Sequence, residues 1–279
     1  MTQPAIDADR FRAFEAKGWE AVASPYHTVF GSVTVRAIDA LLDAAGVRPG
    51  TRLLDVAAGR GDATGEAARR GAAVTGVDIA TAMVELAALR HPGIDFHQAD
   101  AERLPFAAGA FDAVVSNFGL GHFARPEHVV AELARVLAPG GRLALAWWDL
   151  PERNRLLGLF ADAMLAARAE PPPDLPPGPP IFRFSDPAAF ARLLEGAGLE
   201  DVRLRTLSLS HWLSGPDELW AGIVAGTVRM AAAIRGQTEA MQRAIRAAFD
   251  DLAAPYVTAK GFEVPVSIHV AGGRARGTA

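Results

Sequence analysis

Apolar residues recur at helical spacing over residues 7–17 and 32–45, and Gly46 stands where a helix stop is expected. The period then changes. Short leucine-rich or β-branched runs over 52–56, 73–77, 93–97, 111–116 and 141–148 alternate with helical stretches over 63–70, 81–90 and one opened by Pro126. That alternation predicts a parallel sheet with helices on both faces. Past residue 150 a helix reaches about residue 169, and seven prolines within 171–180 then predict a semi-rigid surface loop. A helix restarting at Asp186 and Pro187 is followed by a strand over 202–210, helices over 218–234 and 237–252, and a last strand over 262–270.

Half of the 279 residues are apolar and the formal net charge is −4, so there is no basic excess to hold phosphate backbones or anionic lipid. Neither nucleic acid nor a membrane is expected as a partner. No apolar run approaches the roughly 20 residues of a spanning helix, and the first 20 residues carry charges where a signal peptide needs an apolar stretch. A cytoplasmic protein is the expectation. The absence of cysteine removes disulfides, thiolate zinc sites and cysteine nucleophiles.

The strand over 52–56 runs into Ala57, Ala58, Gly59, Arg60 and Gly61, a turn whose glycines let a ligand lie against the backbone. With Gly65 these glycines also approximate a loosened dinucleotide fingerprint. Asp55 points the other way, because a carboxylate at the strand end repels a pyrophosphate and suits a ligand bearing ammonium and sulfonium charge. Asp78, ending the next strand, is placed to accept from two ribose hydroxyls, or else to cap the helix over 81–90.

From residue 47 to 148 the chain resembles the class I S-adenosylmethionine (SAM)-dependent methyltransferases, particularly the small-molecule type related to the ubiquinone and menaquinone C-methyltransferases. Leu54 to Gly61 matches the first motif of that family, Val74 to Ile79 its second strand, and Gln98 to Glu102 with Leu104, Pro105 and Phe106 its adenine-side motif. Phe111 to Asn117 is similar to its fourth strand, and Arg135 to Gly141 to the turn into the fifth. The resemblance implies a Rossmann-like α/β fold with a seven-stranded, mostly parallel sheet and a helical lid. It implies N-terminal helices covering the cofactor over 1–46, a SAM-binding core over 47–150, and the rest of the sheet over 151–279 with a lid at about 216–254. SAM is the implied cofactor. Asp55, Ala57, Gly59 and Gly61 would hold its methionine part, Asp78 its ribose, and Asp100 and Ala101, with Glu102 beside them, its adenine. Ile79 would lie beside the adenine, Met83 would also bind the cofactor, Asn117 and Phe118 would floor the site near the sulfonium, and Tyr26, with Trp19 and Ala23, would belong to a segment folded over the cofactor. Ala57 stands where that family commonly has glycine.

The acceptor is expected to be a small molecule, and His122 is the candidate for taking its proton. His122 follows the fourth strand on a segment bent by Gly119 and Gly121, and imidazole accepts a proton near neutral pH. The plainer alternative has His122 capping the helix at Pro126 or packing beside Phe118. His27, Asp149 and His211 are rivals for the role; His91 and His97 read as surface residues, and the histidine spacing does not favour a metal. One of Trp147 and Trp148 is expected in the core and the other toward the substrate. Two readings compete with methyl transfer: a SAM-binding protein or SAM-fold enzyme without that reaction, and a nicotinamide-dependent dehydrogenase.

Overall fold

The computed structural model describes residues 6–22 and 29–277. Its sheet is assembled from β1 (Arg52–Val56), β2 (Ala73–Asp78), β3 (Asp95–Gln98), β4 (Phe111–Asn117), β5 (Leu137–Trp148), β6 (Leu199–Leu213), β7 (Val257–Thr258) and β8 (Gly261–Ala275). Seven strands follow the path β3-β2-β1-β4-β5-β8-β6, and two-residue β7 folds back on β8. The pairs from β3 through β5 are parallel, while β8 runs antiparallel to both β5 and β6. Leu53, Leu54, Ala113, Val114, Val115 and the run from Leu143 to Ala146 are fully buried, as strands covered on both faces must be.

The helices are α1 (Ala8–Val22), α2 (Phe30–Thr34), α3 (Ile38–Ala44), α4 (Asp62–Arg69), α5 (Thr81–Arg90), α6 (Pro126–Val136), α7 (Arg155–Ala166), α8 (Pro187–Gly196), α9 (Pro216–Gly226), α10 (Arg229–Arg235) and α11 (Glu239–Ala253). From β1 the chain winds outward through β2 to β3 and returns to β4 on the other side of β1. That reversal opens a crevice at the carboxyl ends of β1 and β4, where open α/β sheets take their ligands.

Three sequence expectations change. The helix expected over 218–234 is broken at Thr227: its hydroxyl donates to the Ile223 carbonyl at 2.8 Å and accepts the Ala231 amide at 3.1 Å, ending one helix and starting the next. Strands expected over 202–210 and 262–270 each extend to 15 residues, because they pair as one long antiparallel ribbon in which β8 is largely buried and the edge strand β6 carries the exposed polar positions. The proline segment is more than a surface loop. Pro172, Pro176 and Pro179 are buried, and the Pro179 carbonyl accepts from Arg229 at 2.7 Å.

Candidate active site

At the switch point β1 ends in a turn with three consecutive odd-numbered residues in left-handed geometry: Ala57 at φ 58°, Gly59 at 54° and Gly61 at 78°. Glycine adopts this freely, whereas for alanine it costs about 1–2 kcal/mol. Gly61 heads α4, and a Cβ there would come within 2.9 Å of the His91 ring and 3.0 Å of Phe96. The strain at Ala57 recurs at Phe118, φ 63°, which leaves the end of β4. Both residues line one deep cavity, and backbone strain of this kind collects at ligand sites.

The cavity brings together Asp55, Ala57, Gly59, Asp78, Ile79, Met83, Asp100, Ala101, Glu102, Asn117, Phe118 and His122. Gly61 does not line it; it supports the turn from beneath. Tyr26, Ala23 and His27 lie outside the described residues. Asp149 and His211 do not line the cavity. Asp149 is fully buried against His269 Nε2 at 3.0 Å and the Ser267 hydroxyl at 2.8 Å, where it ties β5 to β8. His91 is no simple surface residue: its ring fills the space beside Gly61 and Gly65, and burial lowers its pKa.

Asp78 holds the turn directly, its Oδ2 accepting the Gly59 amide at 2.8 Å and its Oδ1 the Ala80 amide at 3.0 Å. Burial raises its pKa despite those bonds. Asp55 is buried too, and although Oδ2 accepts the Thr64 hydroxyl at 2.6 Å, burial pushes its pKa up to about 7. Its Oδ1 has no partner, and neither does Asn117 Oδ1, Glu15 Oε1 or Glu102 Oε1, all of them buried and on residues of the cavity wall. Asn117 spends its Nδ2 on the Thr34 carbonyl at 3.2 Å. Buried acceptors without donors are costly, so this wall is complementary to a ligand rich in N–H and O–H groups and bearing positive charge. It is the wrong chemistry for a pyrophosphate.

Helix α1 covers the opening, and sequence reasoning missed what it does there. Arg12 pairs with Asp100 at 3.1 Å and with Glu102 at 3.1 Å. Burial drives Glu102 upward, but Arg125 and Arg12 outweigh it and hold the carboxyl below its usual range. Glu20 accepts from the Thr81 amide and, at 2.9 Å, from the Ala82 amide, satisfying the start of α5. Glu15 Oε2 meets His122 Nδ1 at 3.0 Å and the Trp19 indole N–H at 3.1 Å. Arg12, Glu15 and Trp19 share one face at helical spacing, but nothing in that spacing shows what the face meets.

The remaining wall is apolar. Phe118 lies against Trp148 with ring centres 4.1 Å apart, and Phe30, Trp147, Leu157, Ile181 and Met230 complete that side. Both tryptophans are buried and both line the cavity, so the expected division between them is not what is found. Trp147 anchors through its N–H to the Ile181 carbonyl at 2.8 Å. A Cβ on Gly121 would meet the Trp147 ring at 2.2 Å, which makes glycine necessary in the turn that carries His122.

A methyltransferase-domain family model matches residues 54–145. A demethylmenaquinone methyltransferase from Beutenbergia cavernae is 37% identical over 177 residues, covering 61% of this chain and 74% of that protein. The chain belongs to the class I SAM-dependent methyltransferases. It is of the ubiquinone and menaquinone methyltransferase type, and it transfers the methyl group of SAM to a small-molecule acceptor. The fold agrees: a putative methyltransferase from an antibiotic biosynthesis pathway of Anabaena variabilis superposes with a TM-score of 0.61 at 20% identity, covering 86% of this chain and 96% of that one. A Haemonchus contortus phosphoethanolamine N-methyltransferase, solved with S-adenosylhomocysteine (SAH), gives 0.53 at 16% identity over 87% of this chain and 53% of that one. Family membership sets aside the dehydrogenase reading. Among the described residues, no helix of this methyltransferase is long and apolar enough to cross a membrane.

Proposed function

We propose that this methyltransferase seats SAM across the ends of β1, β2 and β3, and methylates an apolar ring-bearing acceptor whose proton His122 removes. The carrying observation is the set of buried, partnerless oxygens on the cavity wall. Asp55 Oδ1 suits the ammonium group, and the free lone pairs of Asp78 suit the ribose hydroxyls. Asp100 and the Ala101 amide suit the adenine edge, with Ile79 and Met83 against its faces. Asn117 and Phe118 form the floor. When bound, SAM supplies a methyl group already activated by the sulfonium.

The protein's own work is positioning, exclusion of water and one proton transfer. α1 and the break at 226–230, whose residues all line the cavity, act as the cover, which confines the helical lid of 216–254 to that short break. The N-terminal helices, the core over 47–150 and the remainder then divide by role, while sharing one sheet and one hydrophobic core. Relatives carry the name demethylmenaquinone methyltransferase, and an apolar ring acceptor of that kind suits walls of Phe30, Trp147 and Trp148. We place the enzyme in the cytoplasm, acting without nucleic acid or membrane partners.

The test is turnover of SAM with a panel of hydroxylated ring compounds, followed as SAH formation by mass spectrometry. Acceptor-dependent SAH from a reduced naphthoquinone is the expected result. SAH formation only with small amines or sugars would overturn the acceptor reading.

A further inference from the structure

We infer that Glu15 and His122 form a dyad split between the covering helix and the sheet, with Glu15 as the positioning residue that sets the tautomer of His122. This rests on the reading of His122 as the acceptor's base. Glu15 is 2% exposed, an unusual place for a carboxylate on an N-terminal helix. Its Oε2 takes two contacts, from the Trp19 indole N–H and from His122 Nδ1, and no arginine or lysine forms a salt bridge with it among the described residues. A carboxylate only accepts hydrogen bonds, so in a neutral imidazole the proton must sit on Nδ1. Nε2 is then the lone-pair nitrogen, and no described residue hydrogen-bonds it.

The ring is held as well as polarised. Trp19 meets it edge-on at 4.9 Å between centres and Trp147 at 6.0 Å. When the acceptor's proton moves to Nε2, the imidazolium that forms lies beside a buried carboxylate, and the two make an ion pair. That stabilisation exists only after proton transfer has begun, the kind of interaction that raises turnover rather than binding. Because Glu15 rides on α1, the base is complete only with that helix seated by Arg12 on Asp100 and Glu102 and by Glu20 on α5. Closing the cover and assembling the base are one event.

The experiment combines nitrogen NMR of histidine-labelled protein with kinetics of Glu15→Gln and His122→Ala. Wild-type His122 is expected as the Nδ1–H tautomer in the neutral form. Glu15→Gln can present its amide as a donor to Nδ1 and is expected to shift the population to Nε2–H. Its kcat should fall by at least about tenfold, a larger factor than any accompanying change in SAH affinity or acceptor KM. A wild-type ring protonated on Nε2 overturns the dyad, even where the variant fails to fold. So does a folded Glu15→Gln enzyme with wild-type kcat, and if His122→Ala then still loses turnover, the base stands without its partner. Wild-type turnover in His122→Ala removes the base itself.

Discussion

The Asp78 carboxylate accepts the Gly59 amide at 2.8 Å, so the residue suited to the ribose also holds the turn on which the methionine part would lie. Asp78→Ala is therefore expected to do two things at once. Losing a charged acceptor should weaken SAH by about 1.5–3 kcal/mol, roughly ten- to a hundredfold in Kd, and freeing the Gly59 amide should lower Tm in the unliganded protein. Calorimetry and a thermal melt read the two effects separately. A variant with weakened binding and an unchanged Tm would show that the turn does not depend on Asp78.

Asp55 gives the enzyme a pH dependence of definite sign. Its pKa in the folded chain is about 7 against 3.8 as an ordinary carboxylate, so between these values the folded state keeps a proton that the unfolded state has lost. Its contribution to stability is complete below 3.8 and declines as pH rises toward 7. An ammonium-bearing ligand needs the ionised form, so SAH affinity should fall as pH drops below about 7, approaching tenfold per unit. Asp55→Asn should flatten both trends, with weaker binding at pH 8 and a higher Tm there in the unliganded protein. Titration and melting at pH 6 and 8 decide it, and a wild-type affinity independent of pH contradicts the assignment.

Ala57 sits at φ 58° where glycine would be unstrained. Relieving about 1–2 kcal/mol of left-handed strain outweighs the roughly 0.5–1 kcal/mol of extra chain entropy that glycine loses on folding. Ala57→Gly should accordingly raise stability by about 0.5–1 kcal/mol, measured by urea unfolding, with SAH affinity retained. A destabilised variant would mean that the alanine methyl packs more favourably than its backbone is strained.

Trp220, which falls within the lid expected over 216–254, stacks on Phe160 at 5.4 Å and lies 5.3 Å from Phe249 between ring centres, with Arg246 over its ring. Trp220→Ala should cost about 3 kcal/mol of stability and leave acceptor KM nearly unchanged at temperatures where the protein is folded. An increase in KM without a drop in Tm would return Trp220 to the acceptor side.

Much of this was legible in the chain because parallel strands buried on both faces announce themselves as short apolar runs. β1, β2 and β4 and the helices at 81 and 126 fall within a residue or so of their expected positions for that reason. The edge ribbon of β6 and β8 was underestimated because the exposed polar positions of β6 carry no hydrophobic signal, and the Ala271, Gly272 and Gly273 end of β8 lacks the β-branched residues that mark a strand. The break at Thr227 was hidden because a side-chain hydroxyl replaces backbone bonds without any glycine or proline to mark it. Acidic residues on strand ends could be singled out from local sequence alone. Glu15 could not, since its significance comes from His122, 107 positions away in the chain, and only the fold brings them together.

The central claim is that SAM lies on the turn after β1, and Gly59 tests it most directly, because it lines the cavity and a Cβ there meets no protein atom within 4 Å. Calorimetric titration of SAH should show one molecule bound per wild-type chain. In Gly59→Leu, left-handed geometry should cost only about 1–2 kcal/mol of stability while SAH binding is lost. Binding of SAH to the folded variant with wild-type affinity would contradict the account.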